Sequence, residues 1–207
     1  MTDNRRPIAS RDNPRIQTLA AQLAARPFPT PNQISVLSAV FAALGAWALC
    51  YPNAFTLVFC ALMIQLRLFC NLLDGMVAVE GGKKTHNGAI YNEFPDRVAD
   101  SVLLVALGYA TPWPWLGWLA ALLALTTAYI RVFGGSLGLA QSFAGPMAKQ
   151  HRMAVLTVAC LIGAVQRLIW ESHSILDVAL VVIALGGAWT CWRRTALVNA
   201  QLRKSAP

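Results

Sequence analysis

The stretch Asn71–Asp100 reads NLLDGMVAVEGGKKTHNGAIYNEFPDRVAD and holds five of the nine acidic residues of the chain. The sequence on either side of it is strongly apolar. A carboxylate inside a membrane span costs about 2.5–3.5 kcal/mol on insertion scales, so its presence there requires a reason. A chain that avoids charge elsewhere has therefore concentrated its carboxylates at one place, and this place is the first candidate for a functional site.

The composition as a whole indicates a membrane protein. Hydrophobic residues make up 57% of the 207 residues and charged residues only 13%, whereas a soluble domain carries about a quarter charged residues. The net charge of +8 does not indicate nucleic-acid binding, because the basic residues stand at the margins of apolar runs. The cysteines stand singly, without the spacing of a metal site or a disulfide framework.

Six runs are long and apolar enough for transmembrane helices of about 20 residues, and turn residues separate them. The predicted fold class is therefore all-α, a polytopic membrane protein with a six-transmembrane-helix bundle. The predicted spans are Ile34–Tyr51, Ala54–Leu73, Gly88–Tyr109, Pro114–Val132, Met153–Ile169 and Ile175–Trp192. We expect an N-terminal cytoplasmic segment at 1–32, the six-helix domain at 33–192 and a basic cytoplasmic tail at 193–207.

Lysine and arginine predict the orientation of this bundle. Five arginines precede the first span, Lys83 and Lys84 follow the second, and the link between the fourth and fifth spans and the C-terminal segment are also basic. On the other side we find only Arg167. Because positively charged loops stay in the cytoplasm, both termini and the acidic stretch are predicted to face it. The predicted location is the cytoplasmic (inner) membrane.

A short amphipathic helix is predicted ahead of the first span. Ile16, Leu19, Ala20 and Leu23 recur at helical spacing among polar residues, which is typical of a helix lying in the membrane interface. A plain cytosolic leader is the alternative. The first residues carry charges without an apolar core, so we expect no secretory signal.

Two helical faces collect the polar residues of the acidic stretch. Spacings of three and four residues place polar side chains on one face of the second span and on one face of the third. Because a short link joins the two helices, we expect them to be antiparallel neighbours whose polar faces meet in a cleft at the cytoplasmic edge. The first face holds Arg67, Asn71, Asp74 and Ala78, and the second holds Gly88, Asn92, Asp96 and Asp100, with Glu93 nearby.

The chemistry of such a cleft suits a hard divalent cation. Facing carboxylates and amides, with no histidine or thiolate among them, are the oxygen ligands that Mg²⁺ or Mn²⁺ prefers. Arginine and lysine nearby favour phosphate. Together these groups indicate chemistry on a phosphorylated lipid. The alternative is a structural ion-pair network, Asp74 with Arg67 or Asp96 with Arg97.

The same positions resemble the signature of the CDP-alcohol phosphatidyltransferases, Asp-x2-Asp-Gly-x2-Ala-Arg-x8-Gly-x3-Asp-x3-Asp. This sequence reads Asn71-x2-Asp74-Gly75-x2-Ala78-Val79-x8-Gly88-x3-Asn92-x3-Asp96, with every gap kept. Two weaker likenesses accompany the signature. TPNQIS at Thr30–Ser35 is similar to the family's Thr-Pro-Asn, whose Asn lies near the nucleotide, and YIR at Tyr129–Arg131 is similar to a basic site that faces the acceptor.

The resemblance implies roles for these residues. The aspartates of the family hold one or two divalent ions on the diphosphate of a CDP-lipid, and the last aspartate deprotonates the acceptor alcohol. Asp96 is thereby implied as the catalytic base, and the implied metal ligands are Asp74, Asp96, Asn71 and Asn92. Nucleotide or phosphate binding is expected of Asn32, Asn71, Asp74, Gly75, Ala78, Gly88 and Arg67. Candidate acceptor-binding residues are Arg131, Lys149 and Arg152, which also suit plain topology signals.

Two of these expectations have alternatives. Gly75 either lets the backbone approach the nucleotide closely or packs against another helix. Arg67, well inside the second span, is expected to bind phosphate or to pair with Asp74.

Three positions depart from the family signature. The first and third aspartates are Asn71 and Asn92, and the signature arginine is Val79. Asparagine still offers a carbonyl oxygen, but the site loses two negative charges. The candidates for restoring charge are Glu93, Glu80 and Asp100, of which Asp100 is alternatively a buried partner of Arg97. The candidates for replacing the arginine are Lys83, Lys84 and Arg67.

The sequence therefore predicts an integral membrane transferase that moves a phosphatidyl group from a CDP-diacylglycerol-type lipid to a small alcohol and releases CMP, with Mg²⁺ or Mn²⁺ as cofactor. Membrane lipids surround it, and a homodimer is implied by the resemblance alone. The acceptor stays open among glycerol phosphate, inositol phosphate, serine and inositol. The main alternative is a family member that binds nucleotide-lipid without turnover. A transporter is disfavoured, because the charges gather at one edge of the membrane.

Overall fold

The structure, a computed structural model, describes residues 13–79, 82, 86–169 and 174–205. All regular secondary structure in those ranges is helical, so the predicted all-α class is confirmed. The helices are α1 (Pro14–Ala25), α2 (Pro31–Cys50), α3 (Ala54–Val79), α4 (Gly88–Tyr109), α5 (Pro114–Ser136), α6 (Lys149–Ile169) and α7 (Ser174–Ser205).

Five of these helices, α2, α3, α5, α6 and α7, are long and apolar enough to cross a membrane. Helix α4 has the length, 22 residues, but four charged residues lie within its first 13 positions. The prediction of a multi-pass membrane protein is confirmed at this level. The sixth span and the orientation of the bundle stay predictions.

The motif TPNQIS builds the start of α2. The Thr30 hydroxyl accepts a hydrogen bond from the backbone N–H of Gln33 at 3.3 Å, and the Gln33 side chain accepts one from the backbone N–H of Thr30 at 2.8 Å. This capping box satisfies two N–H groups that the helix leaves open. Pro31 occupies the first turn, where its missing N–H costs nothing.

The N-terminal helix α1 packs against the second half of α3. Asn13 caps α1 by accepting a hydrogen bond from the backbone N–H of Arg15 at 3.0 Å. Ala20 is buried in one apolar cluster with Met76 and Val77 of α3. The helix therefore covers α3 on the side of the bundle that carries the acidic stretch.

The six longer helices close into a ring in the order α2, α3, α6, α7, α5, α4, with α4 returning to α2. Helices α3 and α4 contact each other little, and both pack along α2. The expectation that α3 and α4 are neighbours is therefore wrong for their packing, whereas the expectation that their polar faces meet is confirmed by the contacts of Arg67 and Asn71 with Asp96. A short link limits the distance between two helix ends, but it leaves room for α2 between the helices. Among the described residues, the polar side chains of Arg67 and Asn71 on α3 bridge the remaining gap to Asp96 on α4.

The centre of the ring is apolar. Leu57, Leu103 and Leu156 are fully buried there. Helices α4 and α5 approach most closely at Gly108 and Gly117, where a Cβ on Gly108 would lie 2.7 Å from the Gly117 Cα. Small residues allow such close approach between membrane helices.

The outer surface carries large exposed apolar side chains on every long helix, a surface that suits lipid rather than water. Examples from successive helices are Trp47, Phe55, Val102, Leu122, Leu168 and Leu185.

Candidate active site

One end of the ring gathers the polar groups. The starts of α2, α4 and α6 meet the ends of α3, α5 and α7 there, because consecutive helices run in opposite directions. The described residues of the acidic stretch lie at this end, and so do the basic residues predicted to face an acceptor.

Asp74, near the end of α3, faces α2. Its Oδ2 accepts a hydrogen bond of 2.5 Å from the Ser35 hydroxyl. Its Oδ1 is buried and has no hydrogen-bond donor among the described residues. A buried oxygen without a donor is costly, and a cation is the kind of ligand that satisfies it. Ser35 was not among the predicted site residues, although it stands in the TPNQIS motif.

Asp96, near the start of α4, receives hydrogen bonds from three sides. The Asn71 amide donates to its Oδ1 at 2.7 Å, and Arg67 donates to the same oxygen at 3.2 Å. The ammonium group of Lys149, at the start of α6, pairs with its Oδ2. Asp74 and Asp96 are close enough for their charges to interact. The structure therefore brings together three of the four predicted metal ligands.

The fourth predicted ligand, Asn92, lies exposed on α4. Within the described residues there is no group of three or more acidic, histidine or cysteine side chains positioned to hold a metal. A divalent ion at this site would depend on Asp74 and Asp96 together with the amide oxygen of Asn71. The donor set is made of hard oxygens and includes the unsatisfied Oδ1 of Asp74, so it fits Mg²⁺ or Mn²⁺.

Asp100 lies one turn deeper on α4 and is 2% exposed. Its Oδ1 accepts from Arg67 at 2.6 Å, and its Oδ2 accepts from Arg152 at 2.9 Å. Two ion pairs that the sequence suggested are therefore wrong. Asp100 pairs with Arg67 and Arg152 instead of Arg97, and Arg67 pairs with Asp96 and Asp100 instead of Asp74. The reason is the position of Arg67 inside the bundle: its guanidinium is fully buried and lies close to Asp100, one turn deeper than Asp96.

This burial also bears on the phosphate-binding role expected of Arg67. Its Nη2 donates to the side chains of Asp96 and Asp100, and its Nη1 points at the Met153 sulfur 3.0 Å away. In this structure the guanidinium of Arg67 therefore binds two carboxylates, and not the phosphate expected from the sequence.

Beside Asp96 opens a basic pocket of about 160 Å³. Its cationic lining residues are Arg97, Arg131, Lys149, Arg152 and Arg194, and its acidic ones are Glu93 and Asp96. The predicted acceptor-binding residues Arg131, Lys149 and Arg152 thus share one cavity with the predicted catalytic base. An excess of positive charge in a small cavity favours an anionic ligand.

Buried arginines fix the floor of this pocket. Arg194 on α7 donates from Nη1 to the Thr127 carbonyl at 2.6 Å and from Nε to the Ala144 carbonyl at 2.9 Å. Arg152 donates from Nη1 to the Met147 carbonyl at 2.8 Å. Arg194 was missed by sequence reasoning, because beside Arg193 it reads as a simple positive-inside charge.

Glu93 and Arg97 form the outer wall of the basic pocket. The Glu93 carboxylate accepts from Arg131 at 2.5 Å and from Arg97 at 3.2 Å. The guanidinium of Arg131 lies over the Phe143 ring, 5.4 Å from its centroid. Glu93, a candidate for restoring charge to the metal site, thus pairs with arginines of the pocket.

The signature positions Gly75 and Ala78 are half-buried at the end of α3. Apart from the adjacent residues and the backbone of its own helix, no atom lies within 4 Å of the place where a Cβ of Gly75 would stand. Helix packing therefore does not explain this glycine, and space for a ligand stays as the alternative. Asn32 and Gly88 are half-buried at the starts of α2 and α4. Glu80, Lys83 and Lys84 lie outside the described residues.

A model of the CDP-alcohol phosphatidyltransferase family matches residues 28–192. The chain is 32% identical over 152 residues to the archaetidylinositol phosphate synthase of Aeropyrum pernix, covering 71% of this chain and 75% of that protein. It is 27% identical over 180 residues to the phosphatidylinositol phosphate synthase of Cutibacterium acnes, covering 82% of this chain and 86% of that protein.

Solved structures show the same fold. The phosphatidylinositol phosphate synthase of Mycobacterium tuberculosis with CDP-DAG bound superposes with a TM-score of 0.75 at 19% identity, covering 88% of this chain and 92% of that one. Its complex with manganese and citrate gives a TM-score of 0.73 at 20% identity, covering 88% of each chain.

Proposed function

Because this chain belongs to the CDP-alcohol phosphatidyltransferase family and is thus a membrane transferase of phospholipid biosynthesis, we propose that its acceptor alcohol carries a phosphate group, as inositol phosphate does. The observation that carries the proposal is the basic pocket beside Asp96, with five cationic and two acidic lining residues. The two curated relatives are synthases of inositol phosphate lipids. Serine and unphosphorylated inositol offer no anion of comparable charge for such a pocket.

In the proposed reaction Asp96 serves as the general base. Its carboxylate lies at the border of the basic pocket, where an acceptor hydroxyl can reach it. As Asp96 takes the hydroxyl proton, the acceptor oxygen bonds to the phosphorus that carries the diacylglycerol group. The bond from that phosphorus to the CMP oxygen breaks, and CMP leaves with the electron pair. Lys149 and Arg67 hold Asp96 in place.

The metal-binding proposal rests on Asp74, Asp96 and Asn71, with Asn92 at the rim. A bound Mg²⁺ or Mn²⁺ would neutralise the diphosphate and stabilise the charge that develops on leaving CMP. The unsatisfied Oδ1 of Asp74 supports this assignment. The M. tuberculosis synthase was crystallised with manganese. For the nucleotide we propose the surface at Gly75, Ala78, Gly88 and Asn32, where the open space above Gly75 leaves room.

We also propose that all six long helices span the inner membrane and that both termini are cytoplasmic. The gathering of basic groups at one end of the ring supports this orientation. Helix α1 would lie in the interface at that end. A homodimer stays a prediction from the family resemblance, and cross-linking in native membranes tests it: failure to capture a dimer at any position on the exposed helix faces would contradict it.

The test of the proposed function is CMP release by the purified protein in lipid nanodiscs. CDP-diacylglycerol is supplied with inositol phosphate, glycerol phosphate, inositol or serine, each with Mg²⁺, Mn²⁺ or a chelator. We expect metal-dependent release with a phosphorylated acceptor. We expect Asp96→Asn to lower kcat by about 10²-fold or more, the contribution typical of a general base. Asp177→Asn is a matched change in the first turn of α7, at the end of the bundle opposite the site, and it should leave kcat unchanged.

Two outcomes would contradict this proposal. Turnover with an unphosphorylated alcohol alone would move the acceptor to another class. CDP-lipid binding without CMP release for any acceptor would favour the non-catalytic alternative, particularly if Asn71→Asp with Asn92→Asp restored release.

A further inference from the structure

The outer wall of the basic pocket has an unusual feature, which is a carboxylate shared by two arginines. Glu93 Oε1 accepts from Arg131 of α5 at 2.5 Å, while Oε2 accepts from Arg97 of α4 at 3.2 Å. All three residues line the cavity. Two guanidinium groups that converge on the oxygens of one anion form the geometry by which proteins recognise phosphate.

The remaining cations of the pocket are paired with more deeply buried groups than Glu93. Arg152 is paired with Asp100, and Lys149 with Asp96. Arg194 is buried and donates to two backbone carbonyls. Arg97 and Arg131 keep side-chain exposures of 23% and 16%, and Lys149 keeps 18%. Arg97 also lies 3.8 Å from Asp96. What distinguishes Arg97 and Arg131 is that both converge on the half-exposed carboxylate of Glu93, which a ligand can reach.

The bridge made by Glu93 is suited to being broken. Its side chain is 49% exposed, against 23% for Arg97 and 16% for Arg131, and an ion pair with one partner in contact with water contributes little to stability. Because the energy is small, the bridge is a poor stabiliser of the fold. A ligand with a higher charge than the carboxylate can displace it, and Glu93 can then point into water.

We propose that Glu93 is a specificity-determining residue: its carboxylate stands where the acceptor phosphate binds, between Arg97 and Arg131, and only a dianionic phosphate displaces it. The inference rests on the proposed function, and it identifies the part of the pocket that recognises the phosphate group of the acceptor. Neutral alcohols and monoanions gain too little from the two arginines to open the bridge. The bridge also holds both guanidinium groups in place before the acceptor arrives.

The decisive variant is Glu93→Gln, which keeps the shape and removes the competing charge. We expect KM for inositol phosphate to fall about 2–5-fold, the factor that corresponds to an exposed ion pair, with kcat little changed. Inhibition by sulfate, a weak competitor of the native enzyme, should strengthen by a similar factor. KM for unphosphorylated inositol, where it is turned over at all, should not change. Asp177→Asn serves as the matched control.

A second readout does not depend on turnover. Isothermal titration of the nanodisc-embedded protein with inositol phosphate, and separately with inorganic phosphate, should show tighter binding of both to Glu93→Gln than to the native chain. An unchanged or weakened affinity, with a raised KM, would overturn the inference, because Glu93 would then only position the arginines. If native protein neither binds phosphate nor turns over any phosphorylated acceptor, the proposed function fails and this inference fails with it.

Discussion

At the residue scale, Asn71 stands where the family signature has an aspartate, and its amide makes a hydrogen bond within the site. Its amide N–H donates to Asp96 at 2.7 Å, a hydrogen bond that an ionised aspartate at position 71 could not make. Two carboxylates at this distance would repel each other unless a cation lay between them. In the proposed metal site, asparagine in place of the signature aspartate would therefore lower the need for a metal as well as the affinity for it.

Changing Asn71→Asp should separate these two effects. Without metal, we expect the variant to unfold several degrees below the native protein, because two adjacent carboxylates face each other at Asp96. With Mn²⁺, the added ligand charge should make the metal-induced rise in Tm larger than in the native chain. Thermal unfolding in detergent, with chelator or with Mn²⁺, measures both quantities.

The matched comparison for that experiment is Asn92→Asp. Asn92 is exposed, so the same change there should cost little without metal. Equal losses at the two positions, or a metal response of Asn71→Asp no larger than that of the native protein, would refute this view of Asn71.

At the element scale, hydropathy located the helices well and their ends less well. The predicted span Gly88–Tyr109 coincides with α4, and the predicted starts of α3 and α5 are also those observed. Helix α3 continues to Val79, and α7 continues to Ser205 through the segment predicted as a tail. An apolar run marks the part of a helix inside lipid, whereas backbone hydrogen bonding carries the helix on into polar surroundings.

The contact between α4 and α5 depends on Gly108 and Gly117. A Cβ at Gly108 would lie 2.7–2.9 Å from backbone atoms, which have no freedom to move aside. Gly108→Leu should therefore separate the helices and destabilise the protein by about 1–3 kcal/mol or more, measured as a shift of the unfolding midpoint in SDS. Gly75→Leu, where a Cβ meets nothing within 4 Å, should leave the midpoint unchanged. Similar shifts for both variants would contradict the packing role of Gly108.

At the scale of the whole molecule, spacing along the chain predicted the cluster of Asn71, Asp74 and Asp96, and the family resemblance also suggested the distant residues Arg131, Lys149 and Arg152, which line the pocket beside Asp96. The spacing within Asn71–Asp100 was enough to predict that Asn71 and Asp74 lie close to Asp96. Ser35 and Arg194 were missed, because they join the site through contacts between helices that are far apart in sequence. The order of the helices around the ring was not predictable either, since apolar runs do not specify which neighbours they choose.

Orientation is also a property of the whole molecule, and the basic end predicts it. In a background without native cysteines, Arg203→Cys at the end of α7 should react with a membrane-impermeant maleimide only after cells are permeabilised. Pro112→Cys, in the link between α4 and α5 at the opposite end, should react in intact cells. The reverse pattern of labelling would place the site outside and contradict the positive-inside assignment.

The buried set of Arg67, Asp100 and Arg152 has a consequence for how the protein is made. Arg67 reaches the membrane 33 residues before Asp100, and Arg152 follows Asp100 by 52 residues. An arginine that enters lipid alone costs about 2.5–3.5 kcal/mol on insertion scales, and its partners do not yet exist. Because the chain is synthesised at about 5–20 residues per second, several seconds pass between the synthesis of α3 and the completion of α4 and α6. The buried charge cluster can therefore form only late in synthesis, after α3, α4 and α6 have all been made and have come together.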